Sequence, residues 1–257
     1  MKLVSNPFTQ ALNTGKQQIG LWLSLCNPLA AEVVAHSGYD WVLLDMEHSP
    51  NDINSVMAQL QVFAAFESTA IIRPQWNDPV LVKRLLDIGA PGLLFPMIQS
   101  ATEAEQAVAA TRYPPRGIRG MGGTTRANAF GRISDYASRI EEETAVLVQI
   151  ETHAALEQTE AIAAVDGVTG VFFGPADIAA DIGVLGKPLD NAVWDLIMPQ
   201  ARKLIAKGIP VGTLVGDAAF AANLLKEGFS FVACGSDAGL LAKSADQLLE
   251  TMRKSQS

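Results

Sequence analysis

Eight times along this chain a short apolar run gives way to a stretch whose apolar residues recur with helical spacing. The runs fall at 19–25, 41–45, 70–73, 92–98, 146–151, from 170 toward Asp177, 210–214 and 231–234. Helical stretches cover 28–36, 51–66, 79–88, 101–111, 135–142, 154–165, 191–207, 218–227 and 239–253. Alternation of this kind specifies parallel strands joined by crossover helices. Eight units in 257 residues predict an α/β fold, a closed (β/α)8 TIM barrel, which takes roughly 250 residues. An open doubly wound sheet would carry a glycine fingerprint after its first strand, and Leu25-Cys26-Asn27-Pro28 is nothing of the kind. The chain therefore reads as one domain, 1–257. Residues 8–13, behind Asn6-Pro7, read as a short N-terminal helix placed to plug the barrel floor.

Composition narrows the partners. A net charge of −8 and a pI near 4.9 argue against the basic face that nucleic acid or an anionic membrane requires. A small-molecule substrate is expected instead. Cys26 and Cys234 fall in apolar runs and read as buried reduced thiols. The N-terminus shows no apolar leader and no run has the length of a membrane span. A cytoplasmic protein is expected.

In a barrel, functional side chains gather at the C-terminal ends of the strands. Two of those ends, at Glu151 and Asp177, are acidic and adjacent in the strand order. Alone, either residue reads as a helix cap. Together they repel unless a positive charge lies between them, and a divalent cation with oxygen ligands fills that role. The second strand ends in Asp45-Met46-Glu47-His48, and His48 suits a general base. Arg73 closes the third strand, aimed at an anion such as a carboxylate or enolate oxygen, or paired with Asp45, Glu47 or Asp87. All nine lysines lie in predicted helices, loops or termini. Schiff-base chemistry needs a desolvated lysine inside the barrel, so activation by a metal is left. One long irregular segment, 113–134, is rich in glycine and arginine, and such loops are usually functional.

Five motifs now fall in order: Asp45-Met46-Glu47-His48-Ser49-Pro50, Arg73-Pro74 with Trp76-Asn77-Asp78-Pro79, Arg112-Tyr113-Pro114-Pro115 with Gly117-Ile118-Arg119-Gly120, Val148-Gln149-Ile150-Glu151, and Gly174-Pro175-Ala176-Asp177. Together they resemble the HpcH/HpaI aldolase family of metal-dependent pyruvate aldolases. That resemblance implies reversible cleavage of 4-hydroxy-2-oxo acids to pyruvate and an aldehyde through a metal-stabilised pyruvate enolate. It implies Mg2+, Mn2+ or Co2+ held by Glu151 and Asp177, with water at the remaining positions. It further implies that Arg73 stabilises the enolate, that His48 with Asp87 moves a proton through a water, and that Gln149 orients the site. The amides around Ala176 and Asp177 would hold the pyruvate carboxylate. Family members assemble as hexamers with C-terminal helices between subunits, and Leu240, Leu241, Leu248, Leu249 and Met252 supply an apolar stripe for that or for packing within one barrel.

Two other readings stand beside this one. A related lyase acting on an acyl-CoA or phosphoenolpyruvate-type substrate would use the same metal platform, with the 112–126 loop serving a phosphate. A non-catalytic barrel would bind an oxo acid as a sensor. Arg126-Ala127-Asn128 with Phe130-Gly131 is similar to the 2-dehydro-3-deoxyglucarate branch and Trp76-Asn77-Asp78-Pro79 to the 4-hydroxy-2-oxoheptanedioate branch, which leaves the aldehyde open.

Overall fold

Strand residues buried on both faces are what a parallel sheet covered by helices demands, and the second to sixth strands are buried along their whole length. The computed structural model describes residues 1–255. Its strands are β1 (Gln18–Leu23), β2 (Trp41–Asp45), β3 (Thr69–Arg73), β4 (Gly92–Phe95), β5 (Ala145–Ile150), β6 (Gly170–Phe173), β7 (Val211–Val215) and β8 (Phe231–Ser236). They close in sequence order, each parallel to its neighbours, with β8 returning to β1. The predicted TIM barrel is therefore the fold. We call the C-terminal ends of the strands the mouth and the N-terminal ends the floor.

Alternation along each strand divides the apolar side chains into two cores. One lies between sheet and helices, with Leu21, Val42, Ile72, Val148 and Phe173 among its members. The other fills the barrel and includes Trp22, Trp41, Ile71, Leu147, Phe172 and Phe231. Aromatic rings this large fit because glycine faces them. A Cβ on Gly20 would lie 2.3 Å from the Trp41 ring, and one on Gly212 would lie 2.2 Å from Phe231.

The N-terminal helix, Pro7–Asn13, does plug the floor. Asn6 caps it through the Phe8 amide and ties it down by donating to Pro91 O at 2.7 Å and Glu143 O at 2.9 Å. Phe8 is fully buried, its ring edge-on to Trp41 and Phe231 at 5.8 and 5.6 Å. Truncating such a side chain to Ala costs about 3–5 kcal/mol.

Several local expectations change. Within the apolar run 92–98 the fourth strand stops at Phe95, since Pro96 ends the ladder as its missing N–H leads one to expect, and Met97 turns into the left-handed region at φ 53°. The helix expected over 154–165 is two pieces, His153–Glu157 and Thr159–Ala163. A further helix, Pro175–Asp181, follows β6 directly. The 113–134 segment joins helix Ala101–Thr111 to helix Tyr136–Glu143, so it lies at the floor, where Ser134 donates to Met1 O. Both cysteines are free as expected, but half-buried rather than buried. Among the described residues no helix is long and apolar enough to cross a membrane.

The last helix, Asp237–Lys254, buries only Asp237. That carboxylate accepts from the Ser24 and Leu25 amides at 2.9 and 3.1 Å, anchoring the first turn to β1. Beyond it Leu241 is 62% and Leu248 66% exposed, so the apolar stripe does not pack on its own barrel.

Candidate active site

The pairing of β2 with β3 sets Asp45 beside Arg73. The guanidinium grips that carboxylate with two parallel bonds, Nε to Oδ1 at 2.8 Å and Nη2 to Oδ2 at 2.7 Å. A third contact runs from Nη1 to Glu47 Oε2 at 2.9 Å. Trp22, at the end of β1, donates its indole N–H to Asp45 Oδ2 at 3.1 Å and lies 4.9 Å beneath the Arg73 cation. Burial alone would raise the Asp45 carboxyl, but the Arg73 bonds and charge outweigh it and hold it below its ordinary value. Glu47 goes the other way. Burial lifts it, Arg73 and His48 oppose the lift, and Asp45 and Asp177 add to it.

The expectation that Arg73 meets an anion at the mouth is thus met first by Asp45 and Glu47 of the same chain. Two of its five N–H groups are hydrogen-bonded to Asp45 and Nη1 is ion-paired with Glu47, and Arg73 also lines a cleft of about 280 Å³ with His48, Gln149, Ala176 and Asp177.

Glu151 sits just past β5 and is 2% exposed. Its Oε1 accepts from the Met97 amide and its Oε2 from Gln149 Nε2, each at 2.6 Å. Burial pushes this carboxyl up to about 8; the Met97 bond opposes the rise, and the Asp177 and Glu47 charges reinforce it. Gly174 lets the next strand come close. A Cβ there would lie 2.9 Å from both Cβ and Oε2 of Glu151. Gln149 Oε1 is buried with no hydrogen-bond partner among the described residues, an acceptor left for a guest.

Asp177 stands exposed in the first turn of helix Pro175–Asp181. The amides of Ala176 and Asp177 precede the first intrahelical bond, from Ile178 N to Gly174 O, so that turn offers free donors. His48 is exposed, its Nε2 4.0 Å from Glu47 Oε2.

This donor set suits a hard divalent cation. Carboxylate oxygens come from neighbouring strand ends, burial raises one of them so that added positive charge would favour its ionised form, and glycine clears the space beside it. Among the described residues no three His, Cys, Asp or Glu side chains form a group that could hold a metal.

The structure thus brings His48, Arg73, Gln149, Ala176 and Asp177 to one cleft, with Glu151 against Gln149. It does not bring Asp87. That residue ends helix Pro79–Asp87 at the floor, accepting from Arg119 Nη2 at 3.0 Å. The arginines of the long loop are at the floor too, and Arg112 and Arg116 pair with Glu141 and Asp166. Reading the strand ends from the second onward passes over Trp22, which the end of the first strand would have supplied. The Met97 amide has no signal in sequence beyond the break at Pro96.

A parallel eight-stranded barrel with acids, an arginine and a histidine around its mouth has the layout of a (β/α)8-barrel enzyme. Residues 18–244 match the family described as HpcH/HpaI aldolase/citrate lyase. The chain is 49% identical to the "Pyruvate aldolase" of Rhizobium etli, over 96% of this chain and 98% of that one. It is 48% identical to the "4-hydroxy-2-oxo-heptane-1,7-dioate aldolase" of Salmonella arizonae, over 95% and 94%. A crystal structure of an HpcH/HpaI aldolase/citrate lyase family protein from Burkholderia cenocepacia superposes with a TM-score of 0.93 at 38% identity, covering 97% of this chain and 100% of that one. The chain belongs to the HpcH/HpaI aldolase/citrate lyase family.

Proposed function

We propose that the protein is a divalent-metal-dependent pyruvate aldolase that reversibly cleaves 4-hydroxy-2-oxo acids to pyruvate and an aldehyde. The observation that carries this reading is the juxtaposition of Glu151 and Asp177 at the mouth, beside Arg73. The names of the close relatives support the reaction class. Mg2+, Mn2+ or Co2+ held by Glu151 and Asp177 would supply an electron sink for the ketone.

The chain's own groups do the rest. First-turn amides at Ala176 and Asp177 bind the pyruvate carboxylate, as a helix N-terminus favours. Arg73 presents its unused N–H groups to the enolate oxygen, held in place by Asp45 and Glu47. Gln149 orients Glu151. His48 manages the proton of the 4-hydroxyl through a water, with Asp87 as its partner. Since Asp87 of the same chain is at the floor, that pairing needs a neighbouring copy. The exposed stripe of the last helix supports a homo-oligomer, a hexamer by family resemblance.

The alternative, a related lyase acting on an acyl-CoA or phosphoenolpyruvate-type substrate, would draw the 112–126 arginines from a neighbouring copy, since within one barrel they lie at the opposite end from the cleft. Pyruvate release from a panel of 4-hydroxy-2-oxo acids, measured by a coupled assay after chelation and again with each metal, tests the proposal. Cleavage that vanishes on chelation and returns with metal is expected; cleavage that survives exhaustive chelation refutes it.

A further inference from the structure

We infer that Arg119 is a positioning residue for the proposed proton relay: it holds one oxygen of Asp87 so that the other is presented to His48 of a neighbouring copy. The inference rests on the aldolase reading and on the pairing of His48 with Asp87. It gives the arginine- and glycine-rich loop a task that those two residues alone do not explain.

Arg119 is 1% exposed, the most deeply buried charged residue among those described. Its Nη2 donates to Asp87 Oδ1 at 3.0 Å and to the Tyr136 hydroxyl at 3.1 Å. The guanidinium carbon lies 4.6 Å from the centre of the Tyr113 ring and 5.8 Å from that of Tyr136. Asp87 is its one carboxylate partner among the described residues. The backbone is pinned as well, for Arg119 N donates to Arg112 O at 2.9 Å and Ile118 N to Ala109 O at 2.8 Å, against the end of helix Ala101–Thr111. Further along the loop, Ala127 N donates to Asp87 O at 3.0 Å and Arg126 Nη1 to Ile88 O at 2.6 Å. The loop therefore clasps the end of helix Pro79–Asp87 by backbone and by side chain.

Stability alone does not call for a cation here. Nε and Nη1 of Arg119 are buried with no hydrogen-bond partner among the described residues, and unmade bonds on a buried charge are costly. Stacking on Tyr113 offsets part of that cost. An apolar side chain of similar length would fill the space without it, but could not fix a carboxylate. Asp87 Oδ2 accepts no hydrogen bond among the described residues, and the side chain is 26% exposed. One oxygen is held inside the fold and the other is left open, as a carboxylate must be to orient an imidazole from another molecule. Arg119 acts through Asp87 and touches neither substrate nor the moving proton.

The test is complementation. Arg119→Met is unfolded and refolded with His48→Ala and, separately, with Asp87→Asn. Pyruvate release from the best-cleaved member of the 4-hydroxy-2-oxo acid panel is then measured at saturating Mn2+ in verified hybrids. Alone, Arg119→Met is expected to lose about tenfold or more in kcat, with KM, Mn2+ affinity and assembly size unchanged. Mixing with His48→Ala restores a share of the activity, because the mouth of the Arg119→Met chain keeps its own His48 and meets an Asp87 that its neighbour's Arg119 still holds. Mixing with Asp87→Asn restores none, because every mouth then faces an impaired Asp87. The double variant Arg119→Met with Asp87→Asn falls no further than Asp87→Asn alone. Recovery with Asp87→Asn, no recovery with His48→Ala, losses that multiply in the double variant, or a loss carried by KM, Mn2+ affinity or assembly size overturns the inference. Where Arg119→Met does not fold, Arg119→Lys takes its place, since it keeps the charge but not the planar fork, and the same pattern is expected on a smaller loss. The hybrid of His48→Ala with Asp87→Asn is the reference. Recovery there without the Arg119 pattern sinks this inference alone, and no recovery there removes the shared relay and this inference with it. Wild type that cleaves no member of the panel with metal present sinks the aldolase reading beneath both.

Discussion

The Met97 amide donates to Glu151 Oε1 at 2.6 Å, tying the end of β4 to the end of β5. The strand has stopped two residues earlier, at Phe95, and Met97 itself takes φ 53°. A left-handed non-glycine residue costs of order 1–3 kcal/mol and persists where its surroundings fix it. Here it aims a donor at the carboxylate that the proposed cation needs.

Burial of Glu151 makes stability depend on pH, and with it the affinity for the proposed cation. Burial pushes its carboxyl from 4.5 to about 8, so the folded chain keeps a proton that the unfolded chain sheds near 4.5. With more protons bound in the folded state, stability falls as pH rises between those values. The metal-free protein is expected to unfold at lower urea concentration at pH 8 than at pH 5.5, with saturating Mn2+ reversing the trend. Calorimetric titration at pH 7 in buffers of different ionisation enthalpy should show close to one proton released per Mn2+ bound. Flat profiles in both measurements would mean that Glu151 is ionised without a cation.

Gly174→Ala places a Cβ 2.9 Å from Glu151 Oε2 and 3.1 Å from Gln149 Nε2. The glycine's φ of −98° suits alanine, so the backbone tolerates the change and the strain falls on the carboxylate. A Mn2+ affinity loss of about 10–100-fold is expected, the size seen when a ligand's supports are disturbed. Equal affinity in the two proteins would show that Glu151 is not a ligand.

Arg73→Ala strands Asp45, which is 2% exposed, and Glu47 beside it. Losing one partner of a buried ion pair destabilises by about 3–5 kcal/mol. Urea unfolding should report a loss in that range. A loss under about 1 kcal/mol would place the pair in the class of exposed salt bridges.

His48 and Asp87 lie at opposite ends of one barrel, so the proposed proton relay joins two copies. His48→Ala and Asp87→Asn are each expected to lower kcat by about 10²–10⁴. Unfolding the two variants together and refolding them as a mixture should restore a share of the activity. In hybrid assemblies the mouth of the Asp87→Asn chain keeps its own His48 and gains an intact Asp87 from its neighbour. No recovery in verified hybrids would exclude a shared site.

The barrel was legible because its strands and helices differ in period, and a period survives without tertiary information. Glu151, Asp177, Arg73 and His48 were legible for a related reason: the fold rule names strand ends, and these residues occupy them. What stayed hidden depends on distance rather than spacing. The indole of Trp22 under Arg73, the Met97 amide on Glu151 and the Arg119 guanidinium on Asp87 unite segments far apart in the chain. Asp87 marks the limit from the other side. The family resemblance gives it a role in the site, yet the helix that carries it runs away from the mouth and ends at the floor.

Proton exchange at the pyruvate methyl group tests the central claim most directly, because it asks whether the Glu151–Asp177 pair holds a cation that makes that carbon acidic. Pyruvate in D2O is followed by proton NMR with exhaustively chelated wild type, with Mn2+ restored, and with Glu151→Gln across a range of Mn2+ concentrations. The account predicts no enzyme-dependent exchange after chelation, rapid exchange with Mn2+, and a demand for much more Mn2+ in the variant. Exchange that persists in the chelated enzyme, or an unchanged Mn2+ requirement in Glu151→Gln, would contradict it.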